Sequence, residues 1–419
     1  MSKWHWLFNQ LTRKLWFRSF LFAVLAVLSA LISIVLKPFI PASIGGMVGA
    51  DAVDNILTIL ASSMLAVTTF SLNIMVSAYS SASTSVTPRA ARLVMEDSTT
   101  QNVLATFIGS FLFSLVGIIA LSMGAYGEQG RVVLFVMTLI VVGLIVITLL
   151  RWIQHLSRLG RVGETTSRVE QAARTALENR VTIPYLGGQP WLAHVALPPG
   201  AIPIYPAKIG YIQHVDMSML NTYACDAECE LFLSSQAGAF VHPARPLAWL
   251  TSSEQDIDTT AILDAISINA ERSFDQDPRF CFSVLAEIAS RALSPAVNDP
   301  GTAIDVIGRA VRLLAIWGDN EPEQREVEYT QIYVKPIATA DLFDDIFNPI
   351  ARDGAAQIEV QLRLLKGLQA LYQLNPQIFA TDARRYALTV QTWGEIRMAL
   401  PQDKNRINQW ITQSGLFGR

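Results

Sequence analysis

Few residues in this chain have side chains able to do chemistry, and their spacing limits what they can do. Cys225 and Cys229 stand four apart, with His214 and His242 in range, a set that could offer soft ligands to zinc. No second Cys or His pair follows at a usual interval, so ordinary packed or exposed thiols are expected and no metal is assigned. His194, His214 and His242 could also serve as proton-linked switches, or sit as solvated surface imidazoles. There is no Ser/His/Asp order, no phosphate-cradling glycine loop and no HExxH run. The chain is therefore not expected to be an enzyme, and no cofactor is implied.

Two other constellations carry more. In the apolar run Ile56 to Tyr79, small polar side chains recur at helical spacing. At ~100° per residue, Thr58, Ser62, Thr69, Asn73 and Ser77, with Asn55, Ser80 and Thr84, fall within an arc of roughly 100°. Such a stripe belongs either at a tight helix–helix contact or along a wetted path, where these residues would line a pore. Ser63, Thr68 and Ser71 lie off it. The second constellation runs from Arg291 to Ala303, through Ser294, Pro295, Asn298, Asp299, Pro300 and Thr302. Pro295 should end one helix, and Asp299 should cap the next with Pro300 at its first position. Asn298 suits the turn between them, and Arg291 is placed to pair with Asp277 or Asp299. The alternative is an effector or ion site built from Arg291, Asn298 and Asp299.

The elements that position these residues divide at about residue 151. Ser19–Leu36, Ile56–Tyr79, Val103–Met123 and Val132–Leu150 are each near the ~20 apolar residues that cross a bilayer, which predicts a four-span helical domain over 19–150. Residues 1–18 mix Trp4, Trp6, Phe8, Trp16 and Phe17 with Lys3, Arg13, Lys14 and Arg18, as a segment in the headgroup region would. Arg13, Lys14 and Arg18 precede the first span; Arg89 and Arg92 follow the second; Arg151, Arg158 and Arg161 follow the fourth. The positive-inside rule then places both termini and the 79–103 connection on the cytoplasmic side of the membrane. Asp97 or Ser98 should cap the third span.

A polar connecting helix is expected over 151–180, with Gly160 and Gly163 as swivel points or weak positions. From 181 to 250 there are eight prolines and short β-type runs (Trp191–Leu197, Ile209–Val215, Glu230–Ser234, Phe240–Val241), which predict a small β-barrel or sandwich. Its tail from Gly238 to Leu250 is vaguely similar to a strand pair of lipoyl-type barrels, without a lysine at the matching turn. Residues 251–419 read as mainly helical, interrupted by one strand in Glu326–Lys335; Ile262, Ile266 and Asn269 are placed on a helix face. The fold class is thus a four-span α-helical membrane domain plus a cytoplasmic α+β region.

Here the chain resembles a bacterial family of predicted membrane proteins, domain of unknown function 2254. The family's Arg-Ala-Leu-Ser-Pro-x-x-Asn-Asp-Pro-x-Thr-Ala pattern is matched from Arg291 to Ala303. Gln276-Asp277-Pro278 and Phe280 agree upstream, and Arg272 sits where the family has arginine. Cys281, Ser283-Val284 and Glu287 depart from the usual glycine, Arg-Gln and aspartate. Pro88-Arg89 and Thr100-Gln101-x-Val-Leu104 are similar to the connection between the family's second and third spans. The resemblance implies four spans with a cytoplasmic domain and brings no established activity.

Composition bounds the rest. The 419 residues are 51 % apolar with a net charge of only −3 and no long basic run, so nucleic acid is not an expected partner. Three cysteines cannot all pair within one chain and suit a reducing compartment. The lipid bilayer and other copies of the chain are the expected partners, with an unknown ion or small ligand. The leading expectation is a homo-oligomeric small-ion channel lined by the second span and gated or assembled by the cytoplasmic domain. The other is a non-conducting membrane sensor or scaffold whose cytoplasmic domain binds a protein or small ligand. No ionisable residue interrupts a span, which argues against a proton-coupled transporter.

Overall fold

The computed structural model describes residues 50–95, 97–124, 127–251, 259–319 and 326–416, with isolated helical positions before residue 50. The expected interfacial segment 1–18 and the span Ser19–Leu36 lie almost wholly outside the described residues. The chain forms two compact units that divide between Glu164 and Thr165.

The first unit is helical. Helix α1 (Ala50–Ser85) is followed by the short α2 (Pro88–Met95), then α3 (Ser98–Ser122) and α4 (Gly127–Leu156). Within them Ala52–Ser85, Ser98–Ser122 and Gly130–Leu156 are long and apolar enough to cross a membrane. Three such helices are thus present among the described residues, where four were expected over the whole chain. The central one is α3, whose apolar residues pack on both α1 and α4. Its small residues let neighbours approach: a Cβ on Gly117 would stand 3.0 Å from Leu57 Cδ1. Asp97 starts α3 by accepting the Thr100 N–H at 2.9 Å, and also meets His155 Nε2 of α4 at 2.8 Å. The predicted connecting helix 151–180 is broken: α4 ends at Leu156, Gly160 takes a φ of +77°, and α5 (Val162–Thr182) begins afresh.

The second unit joins strands to a helical layer. Strands β1 (Gly188–Pro190), β2 (Ile202–Ile204) and β3 (Gly210–Val215) precede α6 (Met217–Asp226); β4 (Glu230–Leu233), β5 (Phe240–Val241) and β6 (Ala248–Thr251) follow. Helix α7 (Thr260–Ala265) and strand β7 (Ile266–Asn269) lead to α8 (Pro278–Ala292) and α9 (Pro300–Gly318). Strand β8 (Tyr329–Val334), α10 (Thr339–Asp353), α11 (Ile358–Leu374), α12 (Pro376–Arg397) and α13 (Pro401–Gln413) complete the chain.

No closed barrel forms. One sheet has the order β1-β8-β4-β6-β2, the other β5-β3-β7. The 181–250 stretch cannot close by itself, because β8 inserts between β1 and β4, parallel to both. The expected helix face at Ile262–Asn269 is half strand, since Ile266–Asn269 pairs with β3. Trp191–Leu197 is not a strand; only Gly188–Pro190 pairs there. Leu231 and Leu233 of β4 are fully buried, and with Ile332 and Val334 of β8 they join the core over α6. Helices α8 to α12 pack mainly α8 on α10, α9 on α11 and α11 on α12. Phe343, Phe347, Phe379 and Tyr386 form an aromatic cluster at the α10–α12 seam.

Candidate functional sites

On α1 the buried side chains are Val53, Leu57, Met64, Thr68, Ser71, Ala78 and Ala82, one face at helical spacing. Their polar members are those off the stripe: Ser71 accepts a hydrogen bond from Trp152 Nε1 of α4 at 3.1 Å. The stripe itself, Thr58, Ser62, Thr69, Asn73 and Ser77, is exposed along its whole length. At ~100° per residue it lies roughly opposite the buried face. It is flanked by exposed Ile59 and Phe70 on one side and Leu65 and Val76 on the other. Some of its hydroxyls turn back on the helix, Ser62 Oγ to the Thr58 carbonyl (2.9 Å) and Thr69 Oγ1 to that of Leu65 (3.0 Å). Thr84 does the same with Ser80, and the helix runs on to Ser85. The Asn73 amide has no such outlet, and no hydrogen bond to it occurs among the described residues.

The Arg291–Ala303 pattern forms an exposed corner between α8 and α9. Ser294 Oγ donates to the Arg291 carbonyl at 2.7 Å, and Pro295 follows the end of α8. Asn298 takes a φ of +51°, a conformation asparagine tolerates better than most residues, and its Oδ1 accepts from Gln357 Nε2 at 3.3 Å. Asp299 caps α9, with Oδ1 accepting the Thr302 N–H (3.1 Å) and Oδ2 the Thr302 hydroxyl (2.6 Å). Pro300 stands at the first turn, where its missing N–H costs nothing. These bonds hold the Asp299 carboxyl below the usual carboxylate range, the Thr302 hydroxyl being the largest cause. Arg291 pairs with neither Asp277 nor Asp299.

Asp277 has another partner. Arg272 reaches it twice, Nε to Oδ2 at 2.8 Å and Nη2 to Oδ1 at 3.0 Å. Asp277 is 2 % exposed and caps α8 through the Phe280 N–H at 3.0 Å. Burial pushes its carboxyl above the usual range, against the pull of the Arg272 guanidinium. Arg279, two residues on, binds Asp341 (2.8 Å) and Asp345 (2.7 Å) of α10, which holds its charge firmly. Gly238 lies over the same carboxylate at a φ of +90°, and a Cβ there would run into Asp277. The Asp-Pro pair that starts α8 repeats at the start of α9, a local signal for both caps. Nothing local in the sequence announces Gly238 or Arg180 as neighbours of the first.

Cys225 is exposed and Cys229 buried, the latter's thiol pushed up to about 11 chiefly by burial. No cluster of three or more His, Cys, Asp or Glu able to hold a metal occurs among the described residues. His214 is not a surface imidazole but is buried on β3.

Several apolar helices of spanning length, joined to a mixed sheet-and-helix region, define a polytopic helical membrane protein. Residues 12–370 match the family described as "Predicted membrane protein (DUF2254)", and the chain belongs to that family. It is also similar to uncharacterized proteins of Mycobacterium tuberculosis (strain CDC 1551 / Oshkosh) and Mycobacterium bovis. Each is 32 % identical over 116 residues, a match covering 26 % of this chain and 22 % of the relative. The matched part is thus less than a quarter of those relatives' length. No solved structure matches.

Proposed function

We propose that the protein is a homo-oligomer of the bacterial inner membrane in which the α1 helices surround a path for small ions, with the region from Thr165 on the cytoplasmic side. One observation carries this reading. Asn73 lies on an apolar helix of spanning length, faces away from α3 and α4 and has no hydrogen-bond partner among the described residues. An unpartnered amide against lipid is costly, and water or a second copy of α1 removes that cost. The hydroxyls of Thr58, Ser62, Thr69 and Ser77 extend the same line. Hydroxyls and amides serve ions of either sign, so the stripe sets no selectivity.

The test pairs liposome flux with native mass measurement on the same protein. Thr69→Leu and Asn73→Leu should abolish flux by dewetting the path while the oligomer persists, leucine being at home on a membrane helix. If the stripe is a close helix contact, the same changes remove bonds worth ~0.6 kcal/mol each and weaken assembly. A wild-type protein that passes no ions under any voltage or tension sinks the channel reading and leaves a non-conducting sensor.

A further inference from the structure

Two clefts adjoin in the unit that begins at Thr165, sharing a wall made by Pro336 and Ile337. One, of about 250 Å³, lies among Tyr185, Trp317, Ile378 and the buried Arg180. The other, of about 330 Å³, is floored by the Ser234–Ala239 loop and rimmed by Arg272, Arg279 and Lys335. Arg180 bridges them, donating through Nη1 to Gln236 Oε1 at 2.6 Å. We propose that this double cleft binds a small organic oxyanion, a phosphate or carboxylate carried on a flat apolar body. The oxyanion lies against Arg180 and Lys335, and the body lies against Tyr185 and Trp317. This site is independent of whether the membrane unit conducts ions.

The state of Arg180 is the main support. It is 6 % exposed, yet its one hydrogen-bond partner among the described residues is a neutral amide. A buried guanidinium ordinarily sits against a carboxylate with its donor fork filled. Here Arg180 lines the first cleft with no carboxylate bonded to it, and burial pulls the group down to about 10 despite the field of Asp277. The charge balance of the walls agrees. Arg180, Arg272, Arg279 and Lys335 face Asp277 and Asp341, and counting Asp345 behind Arg279 still leaves an excess of one positive charge. Helix α10 adds its first turn to the same place: Thr339 lines the cleft, and no side chain caps that helix.

The apolar lobe is shaped at a cost. Tyr185 and Leu186 are consecutive non-glycine residues in the left-handed region, at φ of 53° and 57°. That conformation persists only where the surroundings over-determine it, and it is concentrated at binding sites. It sets Tyr185 into the cleft opposite Trp317, whose Nε1 is held by Thr339 Oγ1 at 3.0 Å. Lys335 lines the second cleft, and its ammonium rests 4.7 Å over the Trp191 ring, free of any carboxylate among the described residues and able to swing to an anion in the cleft.

Full-length protein in detergent is melted with phenyl phosphate, benzoate, inorganic phosphate or benzyl alcohol. Phenyl phosphate or benzoate at saturation should raise the midpoint by roughly 5 °C, and more than inorganic phosphate or benzyl alcohol does. Arg180→Met should erase that shift while the ligand-free variant melts no lower than wild type, because an uncompensated buried charge is gone. Lys335→Gln, which disturbs no packed core, should weaken the aryl anion about tenfold and keeps the test open if Arg180→Met does not fold. Three results would each overturn the proposal: no probe shifts wild type, Arg180→Met responds like wild type, or Lys335→Gln leaves affinity unchanged. A ligand-free Arg180→Met that folds but melts several degrees lower would also overturn it, by making the guanidinium a structural strut.

Discussion

At the scale of single residues, the Asp299 cap and the Asp277 cap look alike in sequence and differ in burial. Both are Asp-Pro pairs that accept the N–H three residues on. Asp299 is open to solvent, so Asp299→Ala should cost ~1 kcal/mol of stability, the usual value for a lost cap. Asp277→Ala should cost roughly 3–5 kcal/mol, because it strands Arg272 beside a buried void. The Asp299 carboxyl is held below its unfolded value. Its contribution is therefore fully present above the unfolded pKa and is lost as pH falls through the lower, folded one. Asp299→Asn, an equally good cap, should match wild type near neutrality and lose less on acidification from about pH 6 to about pH 3. Thermal melts of the three proteins across that range check this, and parallel acid losses in wild type and Asp299→Asn would refute it. Caps were legible beforehand because an N-cap is a local matter of three or four residues. The expected Arg291 pairing with either aspartate is not found. For Asp277, α8 stands between the two residues and at ~1.5 Å per residue holds its ends roughly 20 Å apart.

At the scale of elements, the contacts that shape the second unit are long-range, and that is where sequence reading stops. Short runs identified β3, β4 and β5, since alternation and prolines mark strands locally. Nothing local told that β8 would slide between β1 and β4, so a closed module was expected where an open five-stranded sheet stands. Ile262 and Ile266, four apart, imitate one helix face; pairing with β3 overrides that spacing at Ile266. Gly238 belongs to the same class of non-local demand. Gly238→Ala should destabilise by roughly 3 kcal/mol, combining a left-handed penalty with a collision against the Asp277 carboxylate. Gly200→Ala is the control, at a φ of +83° but with open space around it, and should cost only about 1 kcal/mol. Equal losses on denaturation would show that the Asp277 contact adds nothing.

At the scale of the whole molecule, apolar length and basic flanks made the membrane half legible, and α1, α3 and α4 appear near their expected positions. The division at Thr165 lies inside the stretch read as a continuous connecting helix, because Gly160 breaks that helix with a turn. The excess of arginine after α1 and α4 predicts that both termini face the cytoplasm. A reporter joined after Arg419 that fluoresces only in reducing cytoplasm should be bright. A periplasm-dependent reporter at the same place should be silent, and the reverse pattern would overturn the orientation.

The insertion of β8 also constrains the order in which the molecule can be made. Strand β4 leaves a ribosome about a hundred residues before its parallel neighbour, and in the interval the edge of β4 that faces β8 has no partner. Its buried run, Leu231-Phe232-Leu233, is the kind of segment that seeks any strand on offer. On the proposed orientation, with the apolar helices already emerged, nascent chains on neighbouring ribosomes would hold their unfinished sheets close to one membrane surface. Slow elongation between residues 234 and 334 would lengthen that exposure and favour strand exchange between chains. Slower translation of those hundred residues should therefore lower the yield of correctly paired protein, while the finished fold stays the same.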